Sequence, residues 1–322
     1  MLVNPFYLRD STEMKTDPFS DILRFTRAEA ISTGGFSAGG PWALRFPAPA
    51  KIKFFAIVKG HCWVHLDGEP SPLLFNTGDV GLLTAARAFT LSSEPGVEPV
   101  DAMEVFSGKK AVAIGNGQDF AHIGGHVLLD STSGKLLRDV LPPWIHVPAD
   151  TPQAINFRWM LQQLVDERKT PQPGGELASA QLAQLLFIQI LRAHLNTTGP
   201  MPNGWLRALG EPRLAPALHL MHGDPAYPWQ LEELARACAM SRTTFAARFR
   251  NAAGVAPLTY LSNWRMHLAE RALREGSEPV ASVAQALGYT SESAFSNAFK
   301  RVTGASPRSY RSSARKRAST PA

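Results

Sequence analysis

The chain has 322 residues, more than one hydrophobic core usually holds, so its length predicts two domains. Apolar residues make up 44% and charged residues 19%, as in ordinary globular proteins; the only two cysteines, Cys62 and Cys238, exclude a disulfide framework and fit a reducing compartment. The N-terminus lacks the apolar run of a signal peptide, and the longest apolar stretch, residues 182–195, is too short and too charged to cross a bilayer. We therefore expect a cytoplasmic protein without a membrane segment.

Positive charge is concentrated near the end of the chain. The formal net charge is +6, and residues 229–317 hold 14 of the 33 Lys and Arg residues but only 6 of the 27 Asp and Glu residues. A basic terminal domain on a near-neutral body indicates a polyanionic partner, most often nucleic acid. Charge alone is equally compatible with a solvated basic surface.

The first 140 residues have the pattern of β-structure. Short apolar or alternating runs recur between turn signals, as in KIKFFAIVKG, HCWVHLDGEP, PLLFNTGDVGLL and FTLSSEPG. The dipeptide Asp67-Gly68 predicts a hairpin, and the tetrapeptide NTGD at 76–79 predicts a turn. Many short strands separated by frequent turns favour a sandwich or a barrel.

The pattern changes halfway along the chain. Residues 151–169 and 176–195 carry apolar side chains at helical spacing, and the second helix is apolar on more than one face, so we expect it to be buried or paired. The segment TTGPMPNG has the composition of a linker, and all that follows has a helical pattern. The predicted fold class is α+β with two domains: residues 1–196, a linker at 197–204, and a helical domain at 205–315.

An element of about twenty residues occurs twice in the helical part. CAMSRTTFAARFRNAAGVAP and GYTSESAFSNAFKRVTGASP share Ser, Phe, Phe, Gly and Pro at a constant offset of fifty residues. Each copy has a serine suited to an N-cap, Ser241 or Ser291, and a glycine suited to end the helix, Gly254 or Gly304. A short helix and a turn come before each serine. This is the outline of a helix-turn-helix.

The copies differ upstream of their serines. Ala235 lies six residues before Ser241, whereas Ala284 lies seven before Ser291, so we expect the second turn to be one residue longer. Ser277, followed by Glu278 and Pro279, predicts the start of the first helix of the second copy.

The second helix of each copy divides into two faces at about 100° per residue. The predicted core stripes are Phe245, Phe249 and Ala252 in the first copy and Phe295, Phe299 and Val302 in the second. The opposite faces carry Thr243, Ala247 and Arg250, flanked by Thr244 and Asn251, and Ser293, Asn297 and Lys300, flanked by Arg301. Small polar side chains and Asn can reach base edges in a major groove, while Lys and Arg contact phosphates. Any amphipathic surface helix shows a polar face, but two copies in a basic segment favour DNA binding.

The segment between the copies, PLTYLSNWRMHLAERALREG, predicts a connecting helix. About 17 residues of helix span about 25 Å, to which tilt and flanking loops add. Recognition helices in successive major grooves lie about one DNA turn, roughly 34 Å, apart. The spacing of the two copies is compatible with that distance.

The patterns LARACAMSRTTFAARF and VAQALGYTSESAFSNAFKRVTGASPRSYR resemble the DNA-binding domain of the AraC/XylS family of bacterial transcription regulators, over roughly residues 205–311. The resemblance implies seven helices, two helix-turn-helix units and contact with two successive major grooves. By position it implies base readout by Thr243, Thr244, Ala247, Ser293, Ala294 and Asn297, and we add Arg242 as a further DNA-binding residue. Ala247 departs from the family pattern, because a long polar side chain at that position would contact more of the base edges.

The stretch IVKGHCWVHLDGEPSPLLFNTGDVGLL resembles the first half of the cupin-like sensor that many of these regulators carry. Catalytic cupins bind a metal through His-x-His, a Glu and a later His. Here His61 and His65 are four residues apart on a predicted strand, about 13 Å, too far for one ion with bonds of about 2.1 Å. His122 and His126 could approach each other in a turn, but nothing nearby completes a ligand set. We therefore predict no catalytic residue, no metal, no cofactor and no enzymatic activity.

A barrel without a metal could hold a small organic effector. Candidate contacts are Trp42, Trp63, His65 and Arg87, of which the arginine would pair with an acidic effector. Tryptophan in a barrel is more often core. We predict a small-molecule-responsive activator whose partners are double-stranded DNA, the effector and RNA polymerase.

The resemblance also implies a homodimer through residues 177–195, although that helix could equally be a scaffold packed on the barrel. Two alternative functions stay open. One is a cupin-type metalloenzyme tethered to DNA, and the other is an effector-independent DNA-binding dimer whose barrel only dimerises.

Overall fold

The computed structural model describes residues 17–151, 154–170, 172–196 and 204–318, which form two compact units. The β-unit comprises the described residues from Thr26 to Asn196, and the helical unit combines α1 (Pro18–Phe25) with those from Gly204 onward. The predicted α+β fold with two domains is confirmed. The exact domain boundaries stay a prediction; α1 lies inside the predicted first domain but packs within the helical unit.

The β-unit is built from two sheets. In chain order its strands are β1 (Glu29–Ala38), β2 (Ala43–Phe46), β3 (Ile52–Lys59), β4 (His61–Leu66), β5 (Leu73–Asn76), β6 (Val80–Leu83), β7 (Phe89–Ser92), β8 (Val100–Asp101), β9 (Ala111–Ile114), β10 (Phe120–Leu128) and β11 (Trp144–Val147). One sheet has the order β11-β6-β3-β10-β1-β9, and the other β5-β4-β7-β2-β8. Phe36 and Phe120 from the first sheet meet Leu44 and Phe75 from the second in one shared core.

Both turns predicted from the sequence are present. Strands β4 and β5 pair in antiparallel fashion on either side of Asp67 and Gly68, and Gly68 has a positive φ of 85°. In the second turn the Asp79 N–H donates to the Asn76 carbonyl at 2.9 Å, and Gly78 has φ 91°. Glycine adopts positive φ without the steric cost of a Cβ, which explains both positions.

Four helices accompany the sheets: α2 (Ala102–Phe106), α3 (Lys135–Arg138), α4 (Ala154–Lys169) and α5 (Gly175–Leu195). The side chain of Gln184 ties α5 to β1, because it accepts from the Ala30 N–H at 2.7 Å and donates to the Ala28 carbonyl at 3.0 Å. The inward side chains of α5, such as Phe187 and Leu191, are fully buried. The two helices predicted in this part of the chain are confirmed, and α5 acts as a scaffold for the sheet.

The described residues from Gly204 onward form eight helices: α6 (Trp205–Leu209), α7 (Ala215–Gly223), α8 (Leu231–Ala237), α9 (Arg242–Ala253), α10 (Pro257–Glu275), α11 (Val280–Ala286), α12 (Glu292–Thr303) and α13 (Pro307–Ala318). This is one helix more than the resemblance implies. The predicted connecting helix is α10. At its middle the Trp264 ring packs edge-on against Phe25 of α1, with centroids 5.4 Å apart.

Candidate nucleic-acid interface

The first helix-turn-helix consists of α8 and α9. The turn between them contains Ala239, whose φ of 52° is positive despite its side chain. Ser241 caps α9, because its Oγ accepts from the Thr244 N–H at 3.2 Å. At the other end Gly254 is left-handed with φ 76°, and its N–H donates to the Arg250 carbonyl at 2.9 Å. The predicted serine cap and glycine stop are confirmed.

The second helix-turn-helix, α11 and α12, repeats this arrangement. Ser291 Oγ accepts from the Ala294 N–H at 3.1 Å, and Gly304 ends α12 with φ 77°. The left-handed residue in the turn is Gly288, three residues before the cap, whereas Ala239 lies two before Ser241. The second turn is therefore one residue longer, as the sequence predicts.

The aromatic cores of the two units contain the same contacts at equivalent positions, fifty residues apart. In each unit two phenylalanines of the second helix pack on each other and on a tyrosine of the following helix. The centroid distances are 5.7 Å for Phe245–Phe249 and for Phe295–Phe299, 5.5 Å for Phe249–Tyr260, and 5.4 Å for Phe299–Tyr310. Two units separated by fifty residues therefore share one packing scheme.

Two details of the predicted second copy are wrong. Val302 is 41% exposed, whereas its counterpart Ala252 in the first copy is buried. Helix α6 packs on α9, and the Gly204 N–H donates to the Ala252 carbonyl. Among the described residues no helix occupies the corresponding place beside α12, so Val302 stays exposed. Ser277 does not cap α11, because that helix begins only after Pro279. The proline ring keeps the preceding residue extended, which delays the helix start.

The predicted DNA-binding residues all lie on the exposed faces of the two second helices. In α9 these are Arg242, Thr243, Thr244, Ala247 and Arg250, and in α12 they are Ser293, Ala294, Asn297, Lys300 and Arg301. We call these sets the reading faces. Among the described residues none of their four cations forms an ion pair, whereas the neighbouring Arg248 and Arg308 are paired with Glu211 and Glu292.

Two hydroxyls of the reading faces are also engaged at the caps. Thr244 Oγ1 lies 2.8 Å from Ser241 Oγ, and Ser293 Oγ lies 3.1 Å from Ser291 Oγ. The side chains of Thr243 and Asn297 have no hydrogen bond within the described part of the chain. These two side chains are therefore available to a ligand without loss of a cap contact.

Comparison with known proteins adds to this geometry. The family described as Cupin matches residues 17–196, and the one described as Helix-turn-helix domain matches residues 234–313. Over 298 residues the chain is 42% identical to a putative AraC-like transcription regulator of Streptomyces lividans, covering 92% of this chain and 98% of that protein. The chain belongs to the AraC-like transcription regulators. It is thus a DNA-binding transcription regulator with a cupin-like amino-terminal domain.

This AraC-like regulator is similar to two further proteins. One is the HTH-type transcriptional regulator AlkR of Acinetobacter baylyi, 30% identical over 284 residues that cover 84% of this chain and 91% of that protein. The other is the DNA-binding domain of AdpA in a crystal structure with a target DNA, 34% identical, covering 33% of this chain and 96% of that one, with a TM-score of 0.32. Within its described residues the regulator has no helix long and apolar enough to span a membrane.

The β-unit of the regulator contains a cavity of about 270 Å³ between its two sheets. None of the four predicted effector residues lines it. Trp42 is buried in the core, with its ring 4.7 Å from that of Phe120. Trp63 and His65 lie on the face of β4 opposite its buried residues, and Arg87 donates to the Glu69 carboxylate at 2.7 Å. The structure does not bring these four residues together, and their role stays a prediction.

A different set of residues lines the cavity. It includes two glycine pairs in neighbouring strands, several phenylalanines, three lysines and a histidine: Gly34, Gly35, Gly124, Gly125, Phe46, Phe54, Phe55, Phe89, Phe106, Lys53, Lys109, Lys110 and His122. Glycine pairs inside strand patterns were the available sequence signal, since glycine in a strand often marks a place where a ligand or backbone approaches closely.

The histidines are placed differently from one of the expectations. His122 and His126 lie on the single strand β10 and not in a turn, so the predicted approach is wrong. His61 and His65 share the outward face of β4, four residues apart as predicted. Among the described residues no group of three His, Cys, Asp or Glu side chains is arranged to hold a metal ion. Burial lowers the pKa of His122 to about 3, with smaller effects from Arg168 and Lys53, so its ring is neutral near pH 7.

Proposed function

We propose that this regulator places the reading faces of α9 and α12 in two successive major grooves of its operator. The observation that carries the proposal is the shared design of the two faces. Each presents exposed small polar side chains near the helix start and at least one unpaired cation in the last turn, on a repeated aromatic core. Cations without an acidic partner release counterions from DNA at no cost in broken ion pairs.

The roles within each face follow from the chemistry of the side chains. Asn297 has the donor and acceptor pair that recognises adenine in the major groove, and Thr243 offers one hydroxyl. Arg242, Arg250, Lys300 and Arg301 are placed to contact phosphates, which positions the helices without reading sequence. Ala247, Ala294, Thr244 and Ser293 complete the proposed contact surface, with apolar contacts or hydroxyls.

The length of α10 supports two successive grooves. Its 19 residues span about 28 Å at 1.5 Å per residue, comparable to the roughly 34 Å between major-groove sites on one face of DNA. Hydroxyl-radical footprinting of the full chain on an operator selected from random DNA tests this point. We expect two protected segments about one helical turn apart, and a single protected segment would contradict the proposal.

We further propose that the cavity of the β-unit binds a small effector, that the regulator acts as an activator through RNA polymerase, and that it is not an enzyme and works in the cytoplasm.

We propose homodimerisation through residues 177–195. Leu177, 69% exposed, and Leu185 lie on the outer side of α5, and Trp159, 57% exposed, lies on the packed neighbour α4. Sedimentation velocity of wild type and of Leu177→Glu tests the dimer; equal masses at the same concentration would contradict it.

A further inference from the structure

The cavity of the β-unit is walled by aromatic rings. Phe46 and Phe89 stack on each other from neighbouring strands, with centroids 4.8 Å apart, and Phe55 and Phe106 line the same space. At 270 Å³ the cavity is near the lower end of ligand pockets, which span roughly 300–1,000 Å³. Such walls exclude strongly hydrated molecules, because their hydroxyl groups would lose water without gaining partners.

The charged residues that line the cavity are all lysines. Lys53, Lys109 and Lys110 line it, no acidic residue does, and none of the three lysines forms an ion pair within the described residues. Burial lowers the pKa of Lys53, with a smaller contribution from the nearby Lys51. A negative charge in the cavity would reverse that effect, since an opposite charge favours the protonated amine.

One buried atom in the cavity wall lacks a partner. His122 lines the cavity, and its Nδ1 is buried without a hydrogen bond in the described part of the chain. Buried polar atoms in folded proteins are nearly always hydrogen-bonded, so each exception asks for an explanation. A ligand with a polar end would supply the missing partner.

From these three features we infer that the cavity binds a small apolar monocarboxylate. Its hydrocarbon part lies among the phenylalanines, and its carboxylate lies toward Lys53, Lys109 and Lys110, within reach of His122. A cationic ligand is repelled by the three lysines, and a neutral apolar one leaves the half-buried Lys53 without a counter-charge. This inference rests on the proposed effector function and names the chemical class of the effector.

Isothermal titration calorimetry of the full chain with octanoate, octanol and octylamine tests the class, and 4-phenylbutyrate distinguishes an aromatic from an aliphatic body. We expect at least one carboxylate to bind about tenfold or more tightly than the alcohol, since charge-assisted hydrogen bonds are the stronger ones, and the amine not to bind. Octanol binding as tightly as the carboxylates, or no binding by either carboxylate, would overturn the inference.

Matched variants locate the contact. Lys53→Gln should weaken carboxylate binding about tenfold, whereas Lys51→Gln, two residues away and outside the cavity lining, should leave it within about twofold. Lys109→Gln, on an exposed side chain, gives the same test should Lys53→Gln fail to fold. Equal effects of the variants at 51 and 53 would contradict the assignment. Operator affinity measured with and without the bound carboxylate tests the effector function separately, because a ligand that binds without changing it refutes only that function.

Discussion

The ring of Phe299 lies 5.4 Å from that of Tyr310, with the two planes at 84°. The same edge-on contact joins Phe249 to Tyr260 fifty residues earlier, at 5.5 Å and 72°. Each tyrosine comes from the helix that follows the recognition helix, so the contact holds that helix from behind while its reading face stays exposed. The two units thus share the aromatic contact behind the helix and differ in the residues of the reading face.

This contact makes Phe299 a stability residue. Phe299→Ala should lower the free energy of unfolding by about 3–5 kcal/mol, because it empties a fully buried ring site. Val302→Ala, at the exposed position on the same helix, should cost less than about 0.5 kcal/mol. Urea unfolding of the full chain, followed by circular dichroism, compares them. Equal costs would show that the core of the second unit is placed wrongly.

Gly288 and Gly304 form a matched pair with nearly equal φ, 78° and 77°. An added Cβ at Gly304 meets nothing within 4 Å, so Gly304→Ala should cost only the left-handed strain, about 1–2 kcal/mol. At Gly288 the Cβ would lie 2.0 Å from the Ala226 carbonyl oxygen, so Gly288→Ala should cost distinctly more. Melting temperatures of the two variants decide this, and a larger loss at Gly304 would refute the turn geometry.

Lys300 is expected to contact a phosphate. Lys300→Ala should weaken binding to operator and random DNA by the same factor, and should reduce the slope of log affinity against log salt by about one. Arg308→Ala removes a cation that is paired with Glu292 in the same unit, and should leave the slope nearly unchanged. Fluorescence anisotropy over a salt series measures both. A slope change for Arg308→Ala alone would move the DNA contact away from the reading face.

His222 should make the helical unit sensitive to acid. It is fully buried beside Tyr260, to whose hydroxyl its Nε2 is joined at 2.8 Å, and burial lowers its pKa to about 3, with a smaller effect of His219. An unfolded histidine binds a proton near pH 6.5, so the unfolded state binds more protons between those two values. Stability is therefore complete above about pH 6.5 and falls with acidity by about 1.4 kcal/mol per pH unit down to about pH 3.

Unfolding of wild type and of His222→Gln at several pH values between 7 and 4 tests this dependence. The variant should show a shallower loss, while the contribution of His122, whose pKa is lowered in the same direction, stays in both proteins. Identical pH slopes would show that His222 binds protons equally in the folded and unfolded states, so that folding does not lower its pKa.

The helix-turn-helix units could be predicted from sequence because their signals are local. In each unit a serine hydroxyl accepts from the backbone N–H three residues later and so caps the helix. A glycine at the end of the helix adopts a left-handed backbone conformation. Neither feature depends on residues distant in the sequence. Val302 was misplaced because burial at the end of a helix depends on a neighbouring element. The matching Ala252 has α6 beside it, and helical spacing alone does not encode that neighbour.

The cavity could not be predicted for a related reason. Alternation along β4 places Trp63 and His65 on one face and Cys62, Val64 and Leu66 on the other. Both faces contain apolar residues, so the sequence does not show which face is buried. In the structure the buried face is that of Cys62, Val64 and Leu66. The cavity exists instead because the glycines of β1 and β10 have no side chain to fill it. Its lysines come from two segments of the chain that lie far apart in the sequence. Such a site is defined by tertiary packing.

Asn297 provides the most direct test of the central claim, that the reading faces recognise base sequence. The affinity of the full chain for its selected operator and for random DNA is measured for wild type and Asn297→Ala at one salt concentration. We expect a loss of about 1–3 kcal/mol at the operator and almost none on random DNA, so that the ratio falls by about fivefold or more. An unchanged ratio would contradict base readout by α12.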